Sequence, residues 1–512
     1  MEDYPSLLYK FKPLSDKLPA VKRPEGHVHF RTKMMWVVVI LVVYFIMTNV
    51  YLYGLDQAES LDLFAQYRTI MAGASGTILQ LGIGPIVTAS IIMQLFVGAK
   101  IIKLDLTNTK DKACYQSVLK LLVIVMILVE SVPQVFGYLI PSDAFVDTWG
   151  SGGAKILLIA QLCVGSYLVF LFDEVVSKWG IGSGISLFIA AGVAQAVFTG
   201  TLNWNPVDYG TAMSMSNPPA GTIPKTIYIL MNTSSGEMAN GGYEMILLGE
   251  PNSMIALVGT LLIFLLVVYI ESTKIELPLS HGNARGARGR YPIKLMYASN
   301  IPVILMSALL ANVSMVALLL YTNDFLSSIP FIGGNSSIGQ FLPGETTASA
   351  GLAWYLSAPT GISSWLMPML DPFNYGNGHS ILQNMGHVLI YGTVMVMGSI
   401  MFAKFWVETT NLGAESVAKQ IQKSGMQIPG FRRDPRVLKK VLERYIPTVT
   451  ILSGAMIGAL AAGADMIGTT GNATGTGMLL AVGILIHFYE ALGREQMMEM
   501  NPVMRGFLGG ED

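Results

Sequence analysis

Few side chains in this chain could do chemistry inside an apolar run, and Glu130 is the foremost of them. It interrupts VIVMILVESVPQVF, where a carboxyl must find a polar partner or a wet path. Thr88 and Asn312 are uncharged polar residues at comparable depth in two other apolar runs, and hydrogen bonding between helices is the plain use of all three. Gly73-Ala74-Ser75-Gly76 sets a serine among glycines, as an intramembrane protease would need. That serine precedes an apolar run instead of sitting beside a histidine-bearing one. No G-x-x-x-x-G-K-[ST] phosphate loop and no H-E-x-x-H occurs, and Cys114 and Cys163 make neither a ligand cluster nor a disulfide framework. We therefore expect no enzymatic activity, no cofactor and no metal. The scarcity of buried ionisable groups also argues against a proton-coupled transporter.

The second chemistry on offer is anion binding. Residues 274–295 include HGNARGARGRYPIK, with Arg285, Arg288 and Arg290 spaced by small residues, and residues 408–446 include GFRRDPRVLKK, with Arg432 and Arg433. Arginines on a glycine-rich loop can reach phosphates without a helical scaffold, as in salt-dependent contact with an RNA backbone. Anionic lipid is the competing partner, and part of this charge is topology signal.

The elements that must carry these residues are membrane helices. Of 512 residues 52% are hydrophobic and only 13% charged, with a mean hydropathy of +0.52. Ten spans are expected, near 34–53, 76–98, 114–140, 154–172, 183–199, 254–272, 296–321, 386–406, 447–467 and 475–492. No A-x-A-like cleavage site follows the first span, which is expected to remain as an anchor, and the polar leader before it could lie on the membrane face as an amphipathic segment around Leu7 to Phe11. Of the 32 Lys and Arg, only Arg68, Lys155 and Lys225 fall on the side away from the N-terminus, so both termini are expected in the cytoplasm. Asn232, Asn335 and Asn472, in glycosylation sequons, fall outside on that topology. Five spans per half make any internal repeat an inverted one, with a site between the halves near mid-membrane. The halves would be 1–253 and 254–512.

The second span, GTILQLGIGPIVTASIIMQLFVG from Gly76 to Gly98, is oddly built. Gly82, Gly84 and Pro85 fall near its centre, where lipid would punish uncovered backbone but a protein interior or a wet cavity would not. It is expected against a pathway. Before it, Ser60 to Gly73 is too polar to span and reads as a short helix hinged by small residues.

These residues resemble the SecY family, the large subunit of the protein-conducting channel, in its archaeal form. The resemblance rests on Gly82-Ile83-Gly84-Pro85-Ile86-Val87-Thr88 with Ile92-Met93-Gln94-Leu95, on Lys178-Trp179-Gly180-Ile181-Gly182-Ser183-Gly184 and on Tyr291-Pro292-Ile293-Lys294. Ser299-Asn300-Ile301-Pro302-Val303-Ile304, Phe405-Trp406-Val407-Glu408-Thr409-Thr410 and Gly430-Phe431-Arg432 add to it. It implies an all-α polytopic membrane protein of ten transmembrane helices in two inverted five-helix halves, forming a pore in the cell membrane. A ring of aliphatic side chains would close that pore: Ile83, Val87, Ile185, Ile189, Ile304 and Leu480. A plug at 60–73, including Ser60, Leu61, Leu63, Phe64, Ala65, Tyr67 and Arg68, would block the outer funnel. Thr88, Glu130 and Asn312 would line a lateral gate, and Arg285, Arg288, Arg290, Arg432 and Arg433 would dock a ribosome. Implied partners are small SecE-type and beta-type membrane subunits, the ribosome, signal-bearing nascent polypeptides and the lipid bilayer. The rival class, a secondary transporter of small solutes, would need polar side chains where the ring positions are aliphatic.

Overall fold

The computed structural model describes residues 17–26, 28–56, 71–98, 108–208, 211–281, 288–298, 300–322, 337–342, 347–410, 412–423, 426–427 and 435–500, and isolated positions 13, 101, 102 and 104. Ten long helices dominate it: α1 (Phe30–Met47), α2 (Gly84–Gly98), α3 (Thr109–Gly137), α4 (Asp143–Trp179), α5 (Gly184–Leu202), α6 (Met254–Ser272), α7 (Ile301–Thr322), α8 (Ile381–Thr409), α9 (Pro435–Ile467) and α10 (Gly475–Met500). All but α2 are long and apolar enough to cross a bilayer. Several outrun their expected spans. Apolar length marks only the part in lipid, whereas α3, α4 and α10 continue as helix through flanking charged residues, and α4 is interrupted at Gly150 with φ 71°. Starts are set by side chains where polar residues stand: Asn108 accepts from Lys110 N, Ser253 from Ala256 N, and Ser380 with Gln383 forms a capping box on α8.

The second span departs most from expectation. The helix begins only at Gly84, and its 15 residues cover roughly 22 Å, less than the ~30 Å hydrocarbon core. Residues 76–83 make up the remainder as irregular, largely buried backbone. Gly82 has φ +53°, and a β-carbon there would stand 2.1 Å from the Met71 carbonyl oxygen, so this position rejects a side chain. Pro85 thus occupies the first turn of a helix, where a missing N–H costs nothing, instead of breaking one in mid-course. Elsewhere α8 and α9 pack through small residues: a β-carbon on Gly458 would meet Val396 Cα at 2.8 Å.

Residues 274–281 and 288–294, expected as loop, form an antiparallel hairpin of β1 (Lys274–His281) and β2 (Arg288–Lys294), pairing Lys274 with Lys294 and Ser280 with Arg288. The short strand at Met426–Gln427 adds to the other edge of β1, so the two basic segments meet in one sheet. Glycines and a proline hide the alternation that announces a strand, and the third strand comes from a distant part of the chain, which no local pattern reveals. Lys294 ties the base of the hairpin to α10, donating to both carboxylate oxygens of Glu490 at 2.7 and 2.8 Å.

The expected amphipathic stretch at Leu7 to Phe11 lies outside the described residues. Residues 17–26, further along the leader, form an extended strap across the end of α4. Tyr167 and Trp179 donate to the Pro19 and Lys22 carbonyls, Lys178 to that of Val21, and Val21 N donates to Glu174, which also pairs with Lys120 at 2.5 Å.

The α5 to α6 connection holds a short helix over residues 222–232. Lys225, which the sequence places only by its side of the membrane, is fully buried and donates to the carbonyls of Gly249 and Pro251 at 2.6 and 2.7 Å. Burial, opposed by Glu250, pushes its ammonium down from 10.5 to about 8. A base whose folded value lies below its unfolded one destabilises the fold while charged, and that cost is relieved as pH rises from about 8 to about 10.5. The melting temperature of the parent should therefore rise relative to Lys225→Met between pH 8 and 10. A pH-independent difference would contradict the buried ammonium.

Candidate functional site: an apolar closure beside a polar seam

The irregular segment ahead of α2 is held from three sides. Tyr44 of α1 stacks on Phe188 with centroids 4.8 Å apart and donates to the Ala72 carbonyl at 2.8 Å. Leu52 N and Ile78 N make cross-strand bonds to Gly76 O and Val50 O, and Gln80 accepts from Gly76 N at 2.7 Å. Ile83 N reaches the Met71 carbonyl at 2.7 Å, and Ile83 O accepts from Val87 N at 3.1 Å. The stiff backbone that looked like a defect thus fixes Ile83, with Val87 one helical turn on.

The other aliphatic residues come from helix starts that are capped or packed. Asp173 Oδ1 accepts from Ile185 N at 3.0 Å, which seats the α5 N-terminus and with it Ile185 and Ile189. At α10, Asp465 accepts from Thr476 N at 2.9 Å, Thr476 Oγ1 at 2.6 Å and Tyr391 OH at 2.7 Å, locking the helix that carries Leu480 to α8 and α9. Ile83, Val87, Ile189, Ile304 and Leu480 are buried in one contiguous apolar cluster and half-buried Ile185 packs against it. This cluster draws on α2, α5, α7 and α10 at once. Branched and apolar side chains offer a passing polymer no hydrogen bonds, and a dry constriction of them excludes ions.

Beside it runs the seam between α2 and α3 on one side and α7 and α8 on the other, where α2 packs on both α7 and α8. Asn312 Nδ2 donates to Thr88 Oγ1 across it at 3.3 Å, and Thr88 donates to the Gly84 carbonyl at 3.0 Å. The Glu130 carboxyl faces Thr88 and Gly84, with Oε2 3.0 Å from where a β-carbon of Gly84 would lie. Its Oε1 has no hydrogen-bond partner among the described residues. So the three polar residues picked from separate runs come together. Gln134, one turn beyond Glu130 on α3, is buried with neither amide atom paired among the described residues. Its i+4 spacing from Glu130 was the signal that sequence reading passed over.

Arg288 and Arg290 belong to β2, two residues apart along the strand. Arg285, Arg432 and Arg433 lie outside the described residues, as do Ser60, Leu61, Leu63, Phe64, Ala65, Tyr67 and Arg68 of the expected plug. Among the described residues no group of three His, Cys, Asp or Glu side chains gathers in a way that could hold a metal.

Comparison with known proteins bears on the same architecture. A family model described as SecY matches residues 77–489, and a model described as the plug domain of Sec61p matches 42–76. The chain is 46% identical to protein translocase subunit SecY of Archaeoglobus fulgidus, covering 99% of each chain. It is 45% identical to that of Haloferax volcanii, covering 98% of this chain and 99% of the relative. Among solved structures it matches one reported as the structure of a protein conducting channel, with TM-score 0.74 and 38% identity over 96% of this chain and 98% of the other. Sec61 in the canine ribosome-channel complex from the endoplasmic reticulum matches with TM-score 0.72 and 38% identity, covering 96% and 98%. With the apolar closure, the polar seam and the ten-helix order all falling inside these matched regions, the chain belongs to the SecY family.

Proposed function

We propose that the chain is the central pore-forming subunit of a Sec protein-conducting channel, passing secretory polypeptides across the cell membrane and releasing apolar helices into it. The observation that carries this is the closure itself: side chains from α2, α5, α7 and α10 meet as uncharged aliphatics in one cluster, where a solute carrier would need polar contacts. Ile83, Val87, Ile185, Ile189, Ile304 and Leu480 form the constriction, and the chain acts as a conduit, without catalysis of its own. Thr88, Glu130 and Asn312 hold the seam between the halves 1–253 and 254–512, which a signal-bearing nascent polypeptide must part to reach lipid. The plug-domain match at 42–76 supports residues 60–73 as the plug.

Both termini face the cytoplasm, in keeping with the distribution of Lys and Arg. The three-stranded sheet then projects inward and, with Arg285, Arg288, Arg290, Arg432 and Arg433, presents a basic surface to the ribosome, a partner supported by the ribosome-channel complex among the structural neighbours. SecE-type and beta-type small membrane subunits complete the channel. The test is a translocation intermediate stalled in the pore. A cysteine at Ile83 or Ile189 should crosslink to it, and a cysteine at lipid-exposed Leu265 should not. The reverse pattern would overturn the pore assignment.

A further inference from the structure

The helix at residues 222–232 has two faces of different use. Thr222, Lys225 and Ile229 are fully buried, and Thr222 and Lys225 hydrogen-bond to the carbonyls of Gly200, Gly249 and Pro251. Ile223, Ile227, Leu230 and Met231 point the other way, 38%, 39%, 57% and 79% exposed. Their spacing, i, i+4, i+7 and i+8, makes one continuous stripe about 100° wide. Lys225 is the only charged residue in TIPKTIYILMN, so the exposed face carries no charge at all.

A solvated surface helix would carry charge on its outer face. The surroundings of this one are already apolar and exposed. The helix packs on the ends of α5 and α6, whose outward side chains include Phe198 and Leu202 on α5 and Val258, Leu261 and Leu262 on α6. In a multi-pass membrane protein such side chains meet lipid wherever the small partner subunits do not cover them. Trp204 and Tyr243, both more than half exposed, flank the helix in sequence, as aromatic residues do at the headgroup level.

We infer that residues 222–232 form an interfacial helix that lies in the bilayer surface on the side away from the termini, its Ile223, Ile227, Leu230 and Met231 stripe immersed among lipid acyl chains and continuous with the lipid-facing band of α5 and α6. The opposite face clamps the connection between the two halves. Asn252, beside the carbonyls that Lys225 holds, accepts from Gly471 N at 2.6 Å and donates to Ala220 O at 2.7 Å. The buried face of the helix thus holds the 249–251 carbonyls, and the neighbouring Asn252 carries the link on to the α9 to α10 turn.

The test is spin-label accessibility on the purified complex in phosphatidylcholine and phosphatidylglycerol nanodiscs. Nitroxides enter through Ile227→Cys, Leu230→Cys and Met231→Cys, with Leu265→Cys as the lipid reference and Ser235→Cys as the solvated one. Native Cys114 is buried and Cys163 half-buried, so surface thiols label first. The stripe should match Leu265, with relaxation by oxygen and protection from a water-soluble nickel chelate. Nickel relaxation equal to that at Ser235 would overturn the inference. Protection from both reagents would overturn it in favour of a protein partner covering the stripe.

Discussion

Replacing Asp465 with alanine is expected to remove about 3 kcal/mol or more from the stability of the fold, since each buried donor left unpaired costs about 1–3 kcal/mol. Three donors lose their acceptor at once: Tyr391 OH, Thr476 Oγ1 and Thr476 N, all within a buried site. Those bonds join α8, α9 and α10, so the damage is tertiary. Asp465→Asn should cost less, because the amide oxygen still accepts while its NH2 faces donors. Thermal unfolding of the purified complex, with limited proteolysis at the α9 to α10 turn, measures the effect. An unchanged melting temperature for Asp465→Ala would refute the bracing role.

Ile189→Ser or Leu480→Ser is expected to make the resting channel leak ions. Fully burying an aliphatic side chain is worth about 1.5–3 kcal/mol over leaving it in water, so a serine removes that much from the dry state per site. A shift of that size raises the wetted population roughly ten- to hundredfold. Conductance across planar bilayers holding the purified complex gives the readout. The matched control is Leu265→Ser, outside the cluster on an exposed face of α6, which should leave the resting conductance at its original level. Resting conductance that rises no further for the cluster variants than for Leu265→Ser would count against the constriction.

The spans were readable from composition because a bilayer forces every backbone group to bond within its own segment, and ~20 apolar residues announce that solution. Polar positions inside spans, such as Glu130, were readable because each stands out against apolar neighbours. Motif resemblance singled out the aliphatic residues that the fold gathers in one cluster. The strap at 17–26, the buried Lys225 and the sheet joining 274–294 with 426–427 were not readable, since each depends on a partner far along the chain. Lys225 looks like any loop lysine until Gly249 and Pro251 turn their carbonyls toward it.

The Gly76 to Gly98 stretch divides the two kinds of knowledge most clearly. Its sequence determined that the segment is apolar enough to be buried and too rich in glycine and proline to be a plain lipid-facing helix. Only the tertiary structure decided where the helix starts. Gly82 must take a left-handed turn against Met71, and Tyr44 must hold Ala72 from another helix, before Pro85 can begin α2 and bring Val87 and Thr88 to the closure and the seam. Local residue types limit which conformations are permitted, and contacts between distant segments select among them.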